Sequence, residues 1–255
     1  MTELAKRSPF LRGFEQLFAL SSDELDFLHR LESQSKEASA RRPLLGDGKS
    51  YDYALIVLQG WLIEYKILRD GRRQVLNFRL PGEIAGIDSL AYAAIPHSVA
   101  PLVTSKVAVL PLETFHDLQR EYPRLGSVLF LMTLREEAIL HQWEVRLGRR
   151  DAYARIAHLF MELYRRLHLR GLTDGPSFHL PATQEDIADC TGLTTPYVNR
   201  ILQRMRRDGL LRFDGQVIEL LDAPHLAEVS GFKPGYIEDW GNGIQPQRME
   251  QAQQA

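Results

Sequence analysis

The sequence predicts an α+β fold: an antiparallel roll of short strands, one long helix, and a winged helix-turn-helix near the C-terminus. Three observations predict it. Between Tyr53 and Leu110, apolar runs of strand length alternate with glycine-marked turns. From Pro123 to about Leu147, apolar residues recur at helical spacing. Residues 183–207, TQEDIADCTGLTTPYVNRILQRMRR, read as two short helices about Gly192, and a hairpin turning on Asp214-Gly215 follows. This pattern divides the chain into a roll at 10–120, a long helix at 121–147, the helix-turn-helix unit at 148–222 and an acidic, then Gln-rich tail at 223–255.

Taken in order, residues 1 to about 9 are polar and read as loose. Phe14, Leu17 and Phe18 suggest a short helix, and Ser21 with Glu24 three residues on is a capping box for a second. Short strands are expected from Arg41 to Tyr53, then at Tyr53–Leu58, Trp61–Leu68 and Gln74–Leu80. Asp70-Gly71 makes a hairpin turn, with Trp61, Ile63, Tyr65 and Ile67 on one strand face. A further pair is expected at His97–Leu102 and Lys106–Leu110. Leu112–Leu118 reads as a short helix before the long one.

The long helix carries two apolar stripes. One holds Leu125, Leu129, Met132, Ile139 and Trp143, interrupted by Glu136; the other holds Phe130, Leu131, Leu134, Ala138 and Val145. A helix apolar on two faces needs two partners. The roll covers one face, and the same helix of a second subunit is the natural cover for the other. The stripe Leu125, Leu129, Met132, Ile139, Trp143 is assigned to that dimer interface. A central helix in a monomeric core is the alternative. Arg149–Leu169 is a further amphipathic helix, and 171–182 form a loop or short strand. The tail is expected to be disordered beyond Trp240.

Within 183–207, Thr183 caps the first helix, and Glu185 and Asp186 favour its N-terminal dipole. Gly192 permits the reversal. Thr194 or Thr195 caps the second helix, with Pro196 in its first turn, where a missing N–H costs nothing. Ile187, Ala188, Leu193, Val198, Ile201 and Leu202 fall where the helices meet. The outer face keeps Tyr197, Asn199, Arg200, Gln203, Arg204, Arg206 and Arg207, and Pro196–Arg207 holds four arginines and no acid. Such a helix suits a major groove of double-stranded DNA.

The whole chain has 31 basic and 33 acidic residues, so net charge decides nothing. Its distribution does: 146–213 carries twelve arginines against seven acids, while 214–255 carries two basic residues against seven acids. Cys190 is the only cysteine, which excludes an intrachain disulfide, a Cys-ligated zinc and an iron–sulfur cluster. No signal peptide and no apolar run of ~18 residues is present, so a cytoplasmic protein without membrane contact is expected. Glu136-Glu137, His116-Asp117 and His97/Ser98 do not compose a catalytic constellation, because adjacent helical residues point apart. No nucleophile motif or glycine-rich phosphate loop is present. The chain is not expected to be an enzyme or to hold a cofactor. A ligand-binding module acting on a protein partner is the alternative function.

The segments GWLIEYKILRDGRRQVLNFRLPGE (60–83) and DIADCTGLTTPYVNRILQRMRRDGLL (186–211), in that order about a long helix, resemble the Crp/Fnr family of bacterial transcription regulators. They look like the variety common in alphaproteobacteria, and the resemblance spans about Phe14 to Leu221. It implies a cyclic-nucleotide-binding-like roll and a homodimer that reads a two-fold symmetric site and contacts RNA polymerase. Thr183 and the helix N-termini (Thr194) would bind phosphates, and Thr195, Pro196, Asn199 and Arg200 would lie on the base-reading face. Well-known members carry Glu where Pro196 stands, so the half-site should differ, with Tyr197 and Asn199 supplying readout. Arg200 matches and suits a bidentate contact to guanine; Arg204 would touch phosphate or solvent. Cyclic-nucleotide binders use a Gly-Glu and an Arg-Ser pair around the ligand. Gly82-Glu83 is present, but the second pair reads His97-Ser98, without the cation for a phosphate. An effector pocket at Glu83, His97 and Ser98 therefore has an unknown occupant or none.

Overall fold

A computed structural model describes residues 7–239. The expected loose N-terminus falls largely outside those residues, and the expected disorder beyond Trp240 falls entirely outside them. Ser8 caps α1 (Pro9–Glu15). Ser21 and Glu24 close their capping box on α2 (Ser22–Ser33). Seven strands follow: β1 (Ser35–Ala38), β2 (Tyr53–Gln59), β3 (Leu62–Ile67), β4 (Arg73–Arg79), β5 (Ile84–Ala85), β6 (Ser98–Pro101) and β7 (Ser105–Pro111). They form two antiparallel sheets, ordered β1-β7-β2-β5 and β4-β3-β6. The expected short strands at 41–53 are replaced by turns and one bridge, Leu45 to Val99. The first strand is instead Ser35–Ala38, whose polar sequence has no period of its own and is held by pairing with β7.

The sheets close face to face on Leu55, Val57, Leu62, Val99 and Val107. Successive strand residues point to opposite faces, so β2 also sends Ala54 and Ile56 outward against α1, α2 and the start of the long helix. Trp61 and Ile63 point outward from the second sheet, joining Val75 and Phe78. Only these two residues of the predicted Trp61-Ile63-Tyr65-Ile67 face are buried, because Ile67 lies at the exposed hairpin end.

After α3 (Leu112–Glu121) comes α4 (Pro123–Arg149), 27 residues, about 40 Å long at the usual helical rise. The dimer stripe assigned from the sequence is corrected here. Leu125, Leu129 and Met132 pack on α1, α2 and the outer face of the first sheet. Ile139 and Trp143 join the second sheet and the helix that follows. All five are buried within one chain, none more than 8% exposed. The other stripe is largely open: Phe130, Leu134 and Val145, with Leu140 beside it, are exposed large apolar residues, while Leu131 and Ala138 are half-buried. The helix does have two apolar faces, and the one assigned to a partner is the one buried within the chain. Glu136 interrupts the inner stripe because it pairs with Arg79 and accepts from Asn77 Nδ2 at 3.1 Å.

α4 ends at Arg150, extended at ψ 143°, and Asp151 caps α5 (Ala152–Leu169). The helices are therefore divided at 150–151, not near Leu147. Residues 171–182 supply two short strands, β8 (Thr173–Asp174) and β9 (Ser177–His179). Then come α6 (Gln184–Thr191), α7 (Thr195–Arg207), β10 (Leu211–Asp214) and β11 (Val217–Leu220). β9 pairs with β11, so the wing belongs to a four-stranded sheet, β10-β11-β9-β8. The segment read as the start of a tail is structured: α8 (Ala223–Ser230) and α9 (Gly235–Glu238) bury Leu226 and Ile237. Its acidic residues face outward while a few apolar ones dock, a pattern too short to show as periodicity. Among the described residues no helix is long and apolar enough to cross a membrane.

Leu129, 2% exposed, and its neighbour Phe130, 62% exposed, separate core from open face. Leu129→Ala is expected to cost about 2–5 kcal/mol in urea unfolding. Phe130→Ala should leave the stability of a dilute chain within about 0.5 kcal/mol. Equal losses would contradict this division.

Candidate nucleic-acid interface

Thr183 opens α6 in extended backbone. Its hydroxyl accepts from the Asp186 N–H at 3.2 Å, and its own N–H donates to Asp186 Oδ2 at 2.9 Å. Gly192 ends the helix at φ +66°, a conformation that L side chains rarely adopt, and the Leu193 N–H returns to the Ala188 carbonyl. α7 begins after Thr194, whose side chain makes no capping bond, with Pro196 in the first turn. Val198, Ile201, Leu202 and Met205 turn inward. The opposite face is open at Thr195, Pro196, Tyr197, Arg200, Gln203, Arg204, Arg206 and Arg207.

Three contacts order this face. The Arg200 guanidinium carbon lies 5.0 Å from the Tyr197 ring centroid, a cation–π arrangement that limits where its fork can point. Asn199 donates through Nδ2 to Gln184 Oε1 at 3.1 Å, linking the two helices. Arg204 stacks over Tyr153 at 4.9 Å and lies 3.5 Å from Asp208. Sequence reasoning missed Gln184 and Tyr153, since their partners lie on other helices. The wing turns at Asp214-Gly215 with Gly215 at φ +58°, and Arg212 pairs with Glu219 across its strands.

The roll touches this unit directly. Arg41 donates two bonds to Asp186, at 2.7 and 2.8 Å. Arg73 donates to Asp186 at 2.7 Å and to Asp189 at 2.7 Å. Burial alone would raise the Asp186 pKa, but the Arg41 bonds and the Thr183 donors hold it at about 2.

The three residues of the expected effector pocket do not converge. Ser98 Oγ accepts from the Asp47 N–H at 3.1 Å. His97 sits between Asp88, at 3.4 Å, and Glu64, at 3.8 Å; burial lowers its pKa, but the two carboxylates outweigh that and raise it. Glu83 faces away, towards α4 and α5. It accepts from Arg166 Nη2 at 2.6 Å and Nε at 3.2 Å, with Arg170 at 3.7 Å and Arg135 at 3.8 Å. These guanidinium groups come from remote helices, α4 and α5, and not from the His97-Ser98 pair. Burial pushes the Glu83 pKa up, yet attraction by Arg166, Arg170 and Arg135 holds it at about 2. Arg170 also donates to the Gly82 carbonyl at 2.7 Å. Gly82 has φ +87°, and a Cβ there would strike both Arg170 and the Pro9 carbonyl.

The same junction continues through Glu162, which accepts from Trp143 Nε1 at 2.9 Å, Tyr236 Oη at 3.2 Å, Arg166 at 3.4 Å, and Arg146. His158 stacks on Tyr236 with ring planes 8° apart. Burial, then repulsion by Arg146 and Arg150, lowers its pKa to about 2, so it is neutral. Cys190 is fully buried, and burial raises its thiol to about 12, which keeps it from forming a thiolate near neutrality.

Comparison with known proteins agrees with this geometry. Residues 154–229 match the Crp-like helix-turn-helix domain, and residues 35–122 match the cyclic nucleotide-binding domain. The chain is 28% identical to an anaerobic regulatory protein of Pasteurella multocida, over 84% of this chain and 78% of that protein. It is also 28% identical to the fumarate and nitrate reduction regulatory protein of Escherichia coli, over 84% and 85% of the two chains. The structure of FixK2 from Bradyrhizobium japonicum superposes with a TM-score of 0.71 at 25% identity, covering 78% of this chain and 98% of that one.

Glu83→Gln would leave the surrounding guanidinium groups without their buried counter-charge. It should destabilise the protein by about 3–5 kcal/mol in denaturant unfolding at pH 7. Glu83 is depressed from an ordinary 4.5 to about 2. Its stabilisation is therefore present above about pH 4.5 and lost as pH falls towards 2. Stability of the variant should fall less steeply than wild type through that window; parallel acid limbs would show that Glu83 does not contribute there.

Proposed function

Because the chain belongs to the Crp/Fnr family of transcription regulators, we propose that it works as a homodimer, laying α7 of each copy into the major groove of a two-fold symmetric DNA site. The observation that carries this reading is the basic, acid-free outer face of α7, open to solvent and ordered by Tyr197 and Gln184. Arg200 reads guanine with its fork, and Thr195, Tyr197 and Asn199 read or shape the neighbouring positions. Pro196 offers no side-chain hydrogen bond, so apolar contact is its contribution. Thr183, Thr194 and Arg204 hold phosphates and set the register. This acid-free face weighs against a module acting only on a protein partner.

The second copy covers the open face of α4 along Phe130, Leu134 and Val145. That face is supported by its exposure and by the full internal use of the opposite one. RNA polymerase is the further partner, and the protein acts in the cytoplasm. Glu83 already has intrachain cations, which favours regulation through abundance or a partner over a phosphate-bearing effector in the roll.

Selection from random duplex DNA, without added ligand, should recover a two-fold site with half-site centres about one helical turn apart. Arg200→Ala should weaken that site by about 1–3 kcal/mol and erase preference at one base pair per half-site. Unchanged preference would remove Arg200 from the reading face. Phe130→Glu with Leu134→Glu should give a folded monomer by light scattering and circular dichroism, with DNA affinity reduced. A persisting dimer would mean that another surface joins the copies.

A further inference from the structure

We propose that Arg41 and Arg73 are positioning residues for DNA reading: they clasp α6 to the roll and set the orientation of α7 relative to α4, so that the dimer accepts a single half-site spacing without a bound effector. This rests on the dimeric reading proposed above.

Four bonds make the clasp. Both arms of Arg41 reach Asp186, and Arg73, the first residue of β4, divides its fork between Asp186 and Asp189. Paired, planar contacts of this kind fix direction as well as distance. Asp186 is fully buried and also closes the Thr183 capping box, so the clasp grips α6 at its N-terminus. Arg41 has φ +63° and is the only non-glycine residue at positive φ among the described residues. Its N–H donates to the Pro101 carbonyl at 2.7 Å, anchoring the strained turn to the end of β6. The charged end of Arg41 is directed at Asp186, and an unfavourable backbone held by its surroundings is a mark of functional positioning.

What the clasp controls follows from its place. The C-terminal unit joins α4 at 150–151, where the helix is broken. Besides the shared apolar core and the bonds from α1 and its C-cap to Leu169 and Arg170, its charged contacts with the roll fall at two separate places. One is the C-terminal part of α5, where Arg166 and Arg170 meet Glu83. The other is the clasp on α6. Apolar packing tolerates sliding, so the directional ion pairs at both places together fix the orientation of the unit. From α6 the constraint passes to α7 through the Gly192 turn, the packing of Ala188 and Val198, and the Asn199–Gln184 bond. A dimer reads two half-sites together only when its recognition helices stand at the separation of those half-sites. Fixing α7 against α4 therefore fixes the spacing.

The test measures affinity for duplexes carrying the selected half-sites with the spacer lengthened or shortened by one and two base pairs, and for a single half-site. Wild type should prefer the selected spacing by at least about 10-fold. The Arg41→Ala/Arg73→Ala variant should lose most of that preference, to under about 3-fold, while its single-half-site affinity and dimeric mass stay as in wild type. Asp189→Ala, which leaves the α6 cap intact, should move in the same direction. Adding it to Arg73→Ala should change little further, since Arg73→Ala already removes the Asp189 bond together with one to Asp186. Three results would overturn the clasp: an unchanged spacing profile in the variants, an equal loss at every spacing and at the single half-site, or tighter binding throughout. If wild type selects no two-fold site at all, the dimeric reading fails first and the clasp falls with it. A wild-type preference that the variants retain sinks the clasp alone.

Discussion

Glu83, Arg135, Arg166 and Arg170 bring their charges into a region nearly closed to water, where an ionised group persists only beside its opposite. That requirement links the two halves of the protein more specifically than apolar packing could. Apolar faces tolerate sliding, whereas a carboxylate among guanidinium groups has one arrangement that satisfies it. Much of the domain geometry follows from it. α5 must present Arg166 and Arg170 to the Gly82-Glu83 turn, and Gly82 must lack a side chain so that Arg170 and α1 can approach. From Arg166 the network reaches Glu162, and from Glu162 it ties Trp143, Arg146 and Tyr236 around the junction.

This arrangement changes the sense of the Gly-Glu turn. In cyclic-nucleotide binders such a turn serves a ligand. Here its carboxylate is held within the chain, while His97 and Ser98 serve other partners. The charge that a ligand might have engaged instead joins roll to helix-turn-helix unit. Arg41 and Arg73 form a second junction at the far side of that unit, again through carboxylates. The reading helix thus hangs from a frame whose orientation is set by ion pairs at two separated places.

The long helix shows how two apolar stripes can be recognised without showing which of them the chain's own core takes. Leu125, Leu129, Met132, Ile139 and Trp143 fill space against the roll and α5. Phe130, Leu134 and Val145 remain open. Periodicity reports that two faces exist, but both stripes are equally apolar, so it does not say which one meets the chain's own core. Glu136 looked like a defect in one stripe. It is an inward residue whose partners, Asn77 and Arg79, come from β4.

By itself the sequence determined what depends on a few adjacent residues. The Thr183 cap, the turn at Gly192, the arginine-rich outer face of α7, the hairpin at Asp70-Gly71 and the α+β order all arise from contacts within a turn or two of chain. Their signals are consequently written at fixed spacings. Tertiary structure decided the partners of the buried charges, the inner stripe of α4, the strand at Ser35–Ala38 and the docking of 223–238. Arg166 lies 83 residues from Glu83, and Arg41 lies 145 from Asp186. At such separations a charge is placed by the fold that surrounds it, and a face is buried by whatever volume the other elements leave. Neither quantity has a period or a spacing, so both become visible only when the chain has closed on itself.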